Sequence, residues 1–387
     1  MTHRAVRKAH SPLPLSRREW LTLISATPLL HAAPDAPAAP VAIAKCATYE
    51  EDVTAKLSAM FDQLGGISGL VRNKTVTVKV NMTGAPAQKL QGLALGRTHY
   101  THPKVVGAVA FLLGKAGAKR INFVESAWAT AGPLEDVMLD SGWNVRQLLS
   151  AAPGVEFENT NALGKGKRYS RFKFPGTAYL YPEYVMNHAY EETDVFVSLA
   201  KLKQHWDCGV TLSLKNCFGC VPASIYGDDA GVDEPNEKPT RGRSDVVHFA
   251  KRQPSKIAPP ELHPGTSNTA GVRVSRVVAD LAVVRPIHLQ IIDGVESMAG
   301  GEGPWIRGVR PVRPGVLIAG LNPVCTDAVS TAVMGFNPRA GKGEAPFYRN
   351  ADNTLMLTEA HGVGTTDLRR IEVRGVPIEQ AIYKFVG

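Results

Sequence analysis

Between residues 74 and 124 the hydrophobic period changes twice, and this change limits the folds open to the chain. Residues 74–80 read KTVTVKV, the period-two alternation of a strand. A long loop follows Asn81, with glycines at Gly84, Gly92 and Gly96, and it closes on His99-Tyr100-Thr101-His102-Pro103. Pro103 suits the first turn of a helix. Val105, Val109, Leu112 and Ala116 are then spaced for one buried face, and Gly117 stops the helix. Residues 120–124 form the next strand, so the unit is strand, helix, strand with the two strands parallel. Asn81 and Glu125 then stand at the same C-terminal edge of the sheet, where open α/β sheets bind ligands. The expected fold is α/β, with a mostly parallel sheet flanked by helices. A chain of 387 residues suffices for one large core or for two α/β lobes.

The remaining periodicity extends this plan. Residues 49–64 and 132–149 read as helices, 155–157 as a strand, and 169–174 with 178–185 as a hairpin. Residues 194–199 form a short apolar run, a buried strand. Residues 227–269 are polar and rich in Pro and Gly, an irregular insertion with the character of a lid and a short helix near 245–252. Order returns with a helix at 272–284, a buried strand at 287–292 ending in Asp293-Gly294, and a strand at 315–321. Asn322-Pro323 caps and opens a helix that carries Asp327. A helix at 354–361, a strand at 370–374 and a helix at 377–385 complete the chain. The expected organisation is a leader at 1–38, a lead-in segment at 39–74 and an α/β domain at 75–387.

Residues 193–222 concentrate the chemistry. Lys203 and His205 follow the buried strand, and Lys215 and Asn216 come soon after. Two cations, an imidazole and an amide suit a carboxylate, a phosphate or a developing oxyanion. His205, with an ordinary pKa of about 6.5, is the expected acid/base group. His102 and Asp293 are expected in the same cleft, and Asn81 and Glu125 at its edge. Gly301 and Gly303 would stand on the rim as backbone donors to an anion. Cys208, Cys217 and Cys220 have the spacing C-x8-C-x2-C, which offers metal or iron–sulfur ligation, a disulfide, or plain packing.

The formal net charge of +9 fits an anionic small molecule. No dense Arg/Lys run interleaved with aromatics points to nucleic acid. Arg17-Arg18, followed by Trp20-Leu21 and an apolar stretch to residue 30, resembles a twin-arginine export signal. The stretch is too short for a stable membrane span. The expected partner at this stage is the twin-arginine translocase, and the expected location is periplasmic or otherwise extracytoplasmic.

Several of these pieces, in this order, resemble the domain of unknown function 362 family. They are Thr101-His102-Pro103, Lys203-x-His205, and Ser213-Leu214-Lys215-Asn216 with Gly219. Ile292-Asp293-Gly294, Gly301-x-Gly303-Pro304, and Asn322-Pro323-Val324 with Asp327 complete the set. The resemblance runs over residues 76–338 and implies the fold and the location of the site. Many such proteins add a ferredoxin-like segment with tightly spaced cysteines, which this chain does not show. Three functions are then open. The first is an exported enzyme acting on a small anionic substrate, with or without a metal. The second is an exported ligand- or metal-binding protein without turnover. The third is a redox protein holding iron on Cys208, Cys217 and Cys220.

Overall fold

The computed structural model describes residues 36–265 and 267–385. The expected leader, with Arg17-Arg18, lies outside the described residues up to residue 35. The alternating and apolar segments become the strands of one eight-stranded sheet. In chain order they are β1 (Val41–Lys45), β2 (Thr75–Lys79), β3 (Arg120–Glu125) and β4 (Val155–Asn159). Then follow β5 (Val195–Lys201), β6 (Leu289–Gly294), β7 (Val316–Gly320) and β8 (Val373–Gly375). Their spatial order is β8-β1-β7-β6-β5-β2-β3-β4. From β6 through β5, β2 and β3 to β4 every neighbouring pair is parallel. β7 runs antiparallel to both β6 and β1. The sheet is therefore mixed but mostly parallel, and the expected pairing of β2 with β3 is present, with Val76 opposite Ile121.

Both faces of a parallel sheet must be covered, because its crossovers lie on the faces. On one face Val53, Leu57, Met60 and Phe61 of helix α1 (Val53–Gln63) pack with Val105, Val109 and Leu113 of α2 (Pro103–Lys115). On the other lie Val274, Val277, Val278 and Leu281 of α4 (Ala270–Val284) and Val324, Ala328 and Val329 of α5 (Pro323–Val333). The short α3 (Leu212–Asn216) packs on this second face too. Each buried Val or Leu contributes about 1.5–3 kcal/mol by leaving water.

Two local departures have physical causes. The helical pattern at 132–149 breaks into Leu134–Asp140 and Val145–Leu149, because Gly142 takes φ +79° between them. β1, inside the expected lead-in segment, pairs on both sides, with β7 and β8. Five residues, Val-Ala-Ile-Ala-Lys, carry too little pattern to announce an internal strand.

At the C-terminal edge a fully buried ion pair joins β5 to β6. Lys201 Nζ lies 3.0 Å from Asp293 Oδ2 and also donates to Tyr49 Oη at 2.9 Å and to the Gly96 carbonyl at 2.6 Å. All three ammonium protons are thereby used. Asp293 also accepts from Tyr49 Oη at 2.8 Å and from the His102 N–H at 2.9 Å.

Candidate functional site

The parallel strands end at one edge, and there the loops after β2, β3 and β5, the insertion at 227–269 and the 300–308 loop surround a cavity of about 490 Å³. Its floor begins with Lys79, the last residue of β2. Lys79 Nζ is paired with Glu125, the last residue of β3, and donates to the Val80 carbonyl at 2.9 Å. Glu125 also accepts from the N–H groups of Met82 (2.7 Å) and Ser126 (2.8 Å), so its charge is fully engaged. Gly219 makes this close approach feasible: a Cβ there would stand 2.9 Å from Lys79 Cε and 3.2 Å from Glu125 Oε1.

α3 presents Lys215 and Asn216 to the same cavity. The helix starts at Leu212, whose φ of +46° is strained for a branched side chain. Asp327 of α5 holds that start from below. It accepts from Ser213 N–H at 2.9 Å, Ser213 Oγ at 2.5 Å and Leu214 N–H at 2.9 Å. Burial pushes the Asp327 carboxyl up to about 7, against these three donors. The aspartate thus acts on the site by fixing α3. Asn216 spends its amide on the Lys79 carbonyl and Ser198 Oγ, both at 3.1 Å.

Two cations in the cavity have no carboxylate partner among the described residues. Lys215 Nζ lies over the Phe218 ring, 4.2 Å from its centroid, and burial pushes its pKa down. Arg243, from the insertion, donates Nε to the Val221 carbonyl (2.6 Å) and Nη2 to Ser126 Oγ and Asn161 Oδ1 (2.8 Å). Its Nη1 has no protein acceptor among the described residues. Burial pushes Arg243 down to about 10, which still leaves it charged. Two further polar atoms on the cavity wall, Asn81 Oδ1 and Thr211 Oγ1, are buried without a hydrogen-bond partner.

His205 lines the cavity, and burial pushes it down to about 3, although Glu302 pulls it up. Its Nδ1 accepts the Asp207 N–H at 3.2 Å. The proton of the neutral ring therefore sits on Nε2, and His205 is a hydrogen-bond donor at neutral pH. This corrects the expectation of a group titrating near neutrality. His248, held down to about 4 chiefly by burial, faces the cavity from the insertion; its Nδ1 donates to the Arg243 carbonyl at 3.2 Å. Glu302 enters from the 300–308 loop and accepts from the Trp206 N–H (2.9 Å) and the Trp305 indole (3.1 Å). Burial alone would raise Glu302, but the facing His205 ring and these donors hold it down to about 2.

The structure thus brings Asn81, Glu125, His205, Lys215 and Asn216 to one cavity. It does not bring His102 and Asp293 there. His102 caps α2, stacks on Tyr49 at 3.6 Å and lines a separate concavity of about 710 Å³. Asp293 is spent on Lys201. Lys203 is wholly buried and donates to the carbonyls of His99 (2.9 Å) and Glu302 (3.0 Å), anchoring the 300–308 loop rather than facing the cavity. Gly301 and Gly303 do not line the cavity. A Cβ on Gly301 would meet Ile306 at 2.9 Å, and one on Gly303 would meet Trp305 at 2.1 Å, so they make room for these side chains. Cys217 and Cys220 lie on one tight turn, Cys217–Cys220, and are buried, as is Cys208. Among the described residues no three His, Cys, Asp or Glu side chains converge as metal ligands, so the three cysteines do not form a ligand set.

Sequence reasoning missed Lys79, Arg243, His248, Glu302 and the aromatic residues around them. Lys79 had a signal: it is the one charged residue of β2 and stands at its last position, next to the ligand edge. Arg243 and His248 had none, because the insertion carries no period to orient their side chains.

The neutral histidines make stability depend on pH. Burial holds His99 down to about 2, His102 to about 4, His205 to about 3 and His248 to about 4. Each takes up a proton near pH 6.5 only when the chain unfolds. The stability each contributes is full above about pH 6.5 and is lost as the pH falls below it. Asp327 has the opposite sign, losing stability between about pH 4 and 7 as the pH rises. Burial also lowers His288 and raises Asp207, so five histidines oppose two aspartates and the melting temperature should fall from pH 7 to 4.5. A flat profile in thermal melts would show that these rings are not held neutral.

The sequence model of the family described as Domain of unknown function (DUF362) matches residues 76–332. Over 198 residues the chain is 28% identical to Thylakoid-associated protein sll1697 of Synechocystis sp. (strain ATCC 27184 / PCC 6803 / Kazusa), a match covering 50% of this chain and 55% of that protein. The chain therefore spans about half the length of the curated relative it matches. It belongs to the DUF362 family.

Proposed function

We propose that this member of the DUF362 family holds a small anionic organic molecule at the C-terminal edge of its sheet and acts on it as an enzyme. The observation that carries the reading is the pair Lys215 and Arg243, two cations facing one cavity without a carboxylate partner among the described residues. Both cations are half-buried, so each loses part of its hydration without gaining a counter-ion, and an anionic ligand offsets that loss. His205 Nε2–H adds a neutral donor, and the unpartnered Asn81 Oδ1 and Thr211 Oγ1 offer further contacts to a polar ligand. Fixed donors around one enclosed point suit a substrate that gains negative charge as it reacts. Lys215, with its pKa lowered by burial, is the residue best placed to exchange a proton.

Calorimetry with a panel of carboxylates and phosphates tests this. Binding to the parent protein should weaken about 10- to 100-fold in Lys215→Ala and in Arg243→Ala, the range expected for a lost charged hydrogen bond. Unchanged affinity in both variants would refute the assignment.

Delivery outside the cytoplasm through the twin-arginine route belongs to the same reading, on the pattern Arg17-Arg18 before Trp20-Leu21. No helix among the described residues is long and apolar enough to cross a membrane. Replacing both arginines with lysine should leave the precursor in the cytoplasm, and normal export of that variant would remove this part.

A further inference from the structure

Three aromatic side chains of the cavity wall are unusually open. Trp128 is 49% exposed, Phe249 42% and Trp305 42%, and all three line the cavity that holds Lys215 and Arg243. They come from three separate segments: the loop after β3, the insertion and the 300–308 loop. Exposed single aromatics are ordinary on a surface, but three converging on one concavity are not accounted for by the packing of this chain.

Trp305 is also held in place. Its indole N–H is committed to Glu302 Oε1 at 3.1 Å, and its ring lies against two residues that lack a side chain. A Cβ on Gly84 would fall 2.4 Å from the ring and one on Gly303 2.1 Å from it. Trp128 lies beside Gly242 in ordinary contact, since a Cβ there would stand 3.4 Å from its Nε1. The held indole of Trp305, with the open rings of Trp128 and Phe249, offers flat apolar surface at the cavity wall, a shape that matches a flat partner. The deeper wall is polar, with the unpartnered Lys215 and Arg243 and the buried, unbonded Asn81 Oδ1 and Thr211 Oγ1.

We propose that the ligand is an aromatic acid: a planar ring system seated among Trp128, Phe249 and Trp305, with its carboxylate or phosphate directed to Lys215 and Arg243. This rests on the anion-site reading given above and specifies its substrate class. A cavity of about 490 Å³ falls within the range of small-molecule pockets and admits a two-ring acid. Ring stacking adds about two- to twelvefold in affinity per aromatic pair beyond the area buried, so the aromatic part should be read in affinity as well as in fit.

The test uses the full chain and four probes: 2-naphthoate, 2-naphthyl phosphate, hexanoate and inorganic phosphate. Calorimetry gives the affinities, and quenching of tryptophan fluorescence reports contact with the ring. At least one naphthyl probe should bind about tenfold or more tighter than the non-aromatic probe with the same acid group. Whichever naphthyl probe wins tells a carboxylate from a phosphate site. Trp305→Ala should remove most of that advantage while leaving the affinity for hexanoate or phosphate unchanged, and Trp305→Phe should restore it. Trp128→Ala serves as the second variant should Trp305→Ala fail to fold. Equal affinity for aromatic and non-aromatic acids would overturn the aromatic assignment and leave the anion site standing. Absence of binding by all four probes would overturn both.

Discussion

Asp293→Ala should destabilise the protein by about 3–5 kcal/mol, the usual result of removing one partner from a buried ion pair. The expectation follows from how completely the pair is enclosed. Neither Lys201 nor Asp293 has measurable exposure, and the carboxylate answers Lys201 Nζ, Tyr49 Oη and the His102 N–H together. Without it the ammonium keeps only Tyr49 Oη and the Gly96 carbonyl, neither of which carries a formal charge to oppose it. Burial already pushes the Lys201 pKa down with Asp293 opposing, so the lone lysine should fold only by shedding its proton. A double replacement, Lys201→Met with Asp293→Leu, should recover much of the loss, because apolar side chains of similar size often substitute for a buried pair at little net cost. Urea denaturation of the three proteins decides the matter. If Asp293→Ala keeps parental stability and loses only ligand binding, the residue belongs to the chemistry and not to the frame.

The second large effect is expected at Arg273→Met, for a reason that joins stability to the site. Arg273 lies in α4 and is 1% exposed. Its guanidinium pairs with Glu261 and donates to the carbonyls of Val247 (3.0 Å), Val246 (3.1 Å) and Ser267 (3.1 Å). All four partners belong to the insertion or its exit, and Val246 and Val247 lie between Arg243 and His248. One arginine thus pins the segment that brings both residues to the cavity. Methionine keeps the unbranched stem but not the guanidinium and loses every one of these bonds, leaving the Glu261 charge buried without its counter-ion. The expected cost is about 3–5 kcal/mol. Limited proteolysis should cut within 227–269 first, and anion affinity should drop at least as far as in Arg243→Ala. A variant with intact protease resistance and intact affinity would show that the insertion stands without this anchor. The insertion was expected to be a lid; the bonds of Arg273 describe a fixed wall.

How far the sequence could be read follows from where periodicity exists. β2, α2, β3 and β5 were legible because alternation and helical spacing leave a mark on every residue, and those same elements set the ligand edge. The placement of His205, Lys215 and Asn216 at that edge follows from the topology alone. What was not legible is which polar group is free. Lys203 and Lys215 look equivalent as sequence, yet Lys203 is consumed by two carbonyls and Lys215 has no hydrogen-bond partner among the described residues. His102 and Asp293 likewise stand at the expected edge, but a stacked tyrosine and a buried lysine occupy them. Hydrogen bonds between residues 92 to 244 positions apart decide such outcomes, and no local pattern encodes them. The glycines at 301 and 303 show the same limit, since their purpose depends on the bulk of Ile306 and Trp305.

The position of β1 has a consequence for the order in which the molecule can be built. It is the first described strand to leave the ribosome, yet its two neighbours, Val316–Gly320 and Val373–Gly375, begin 275 and 332 positions further along the chain. Until then Val41–Lys45 has no sheet to join, and the antiparallel strand between β1 and β6 is missing. Local units such as β2-α2-β3 can form early, but long-range pairing must wait and is slow because distant parts of the chain have to meet. The central sheet can therefore close only once residues 316–320 have been synthesised, and a nascent chain halted before residue 316 would carry β6 as an open edge ready to pair with a neighbour.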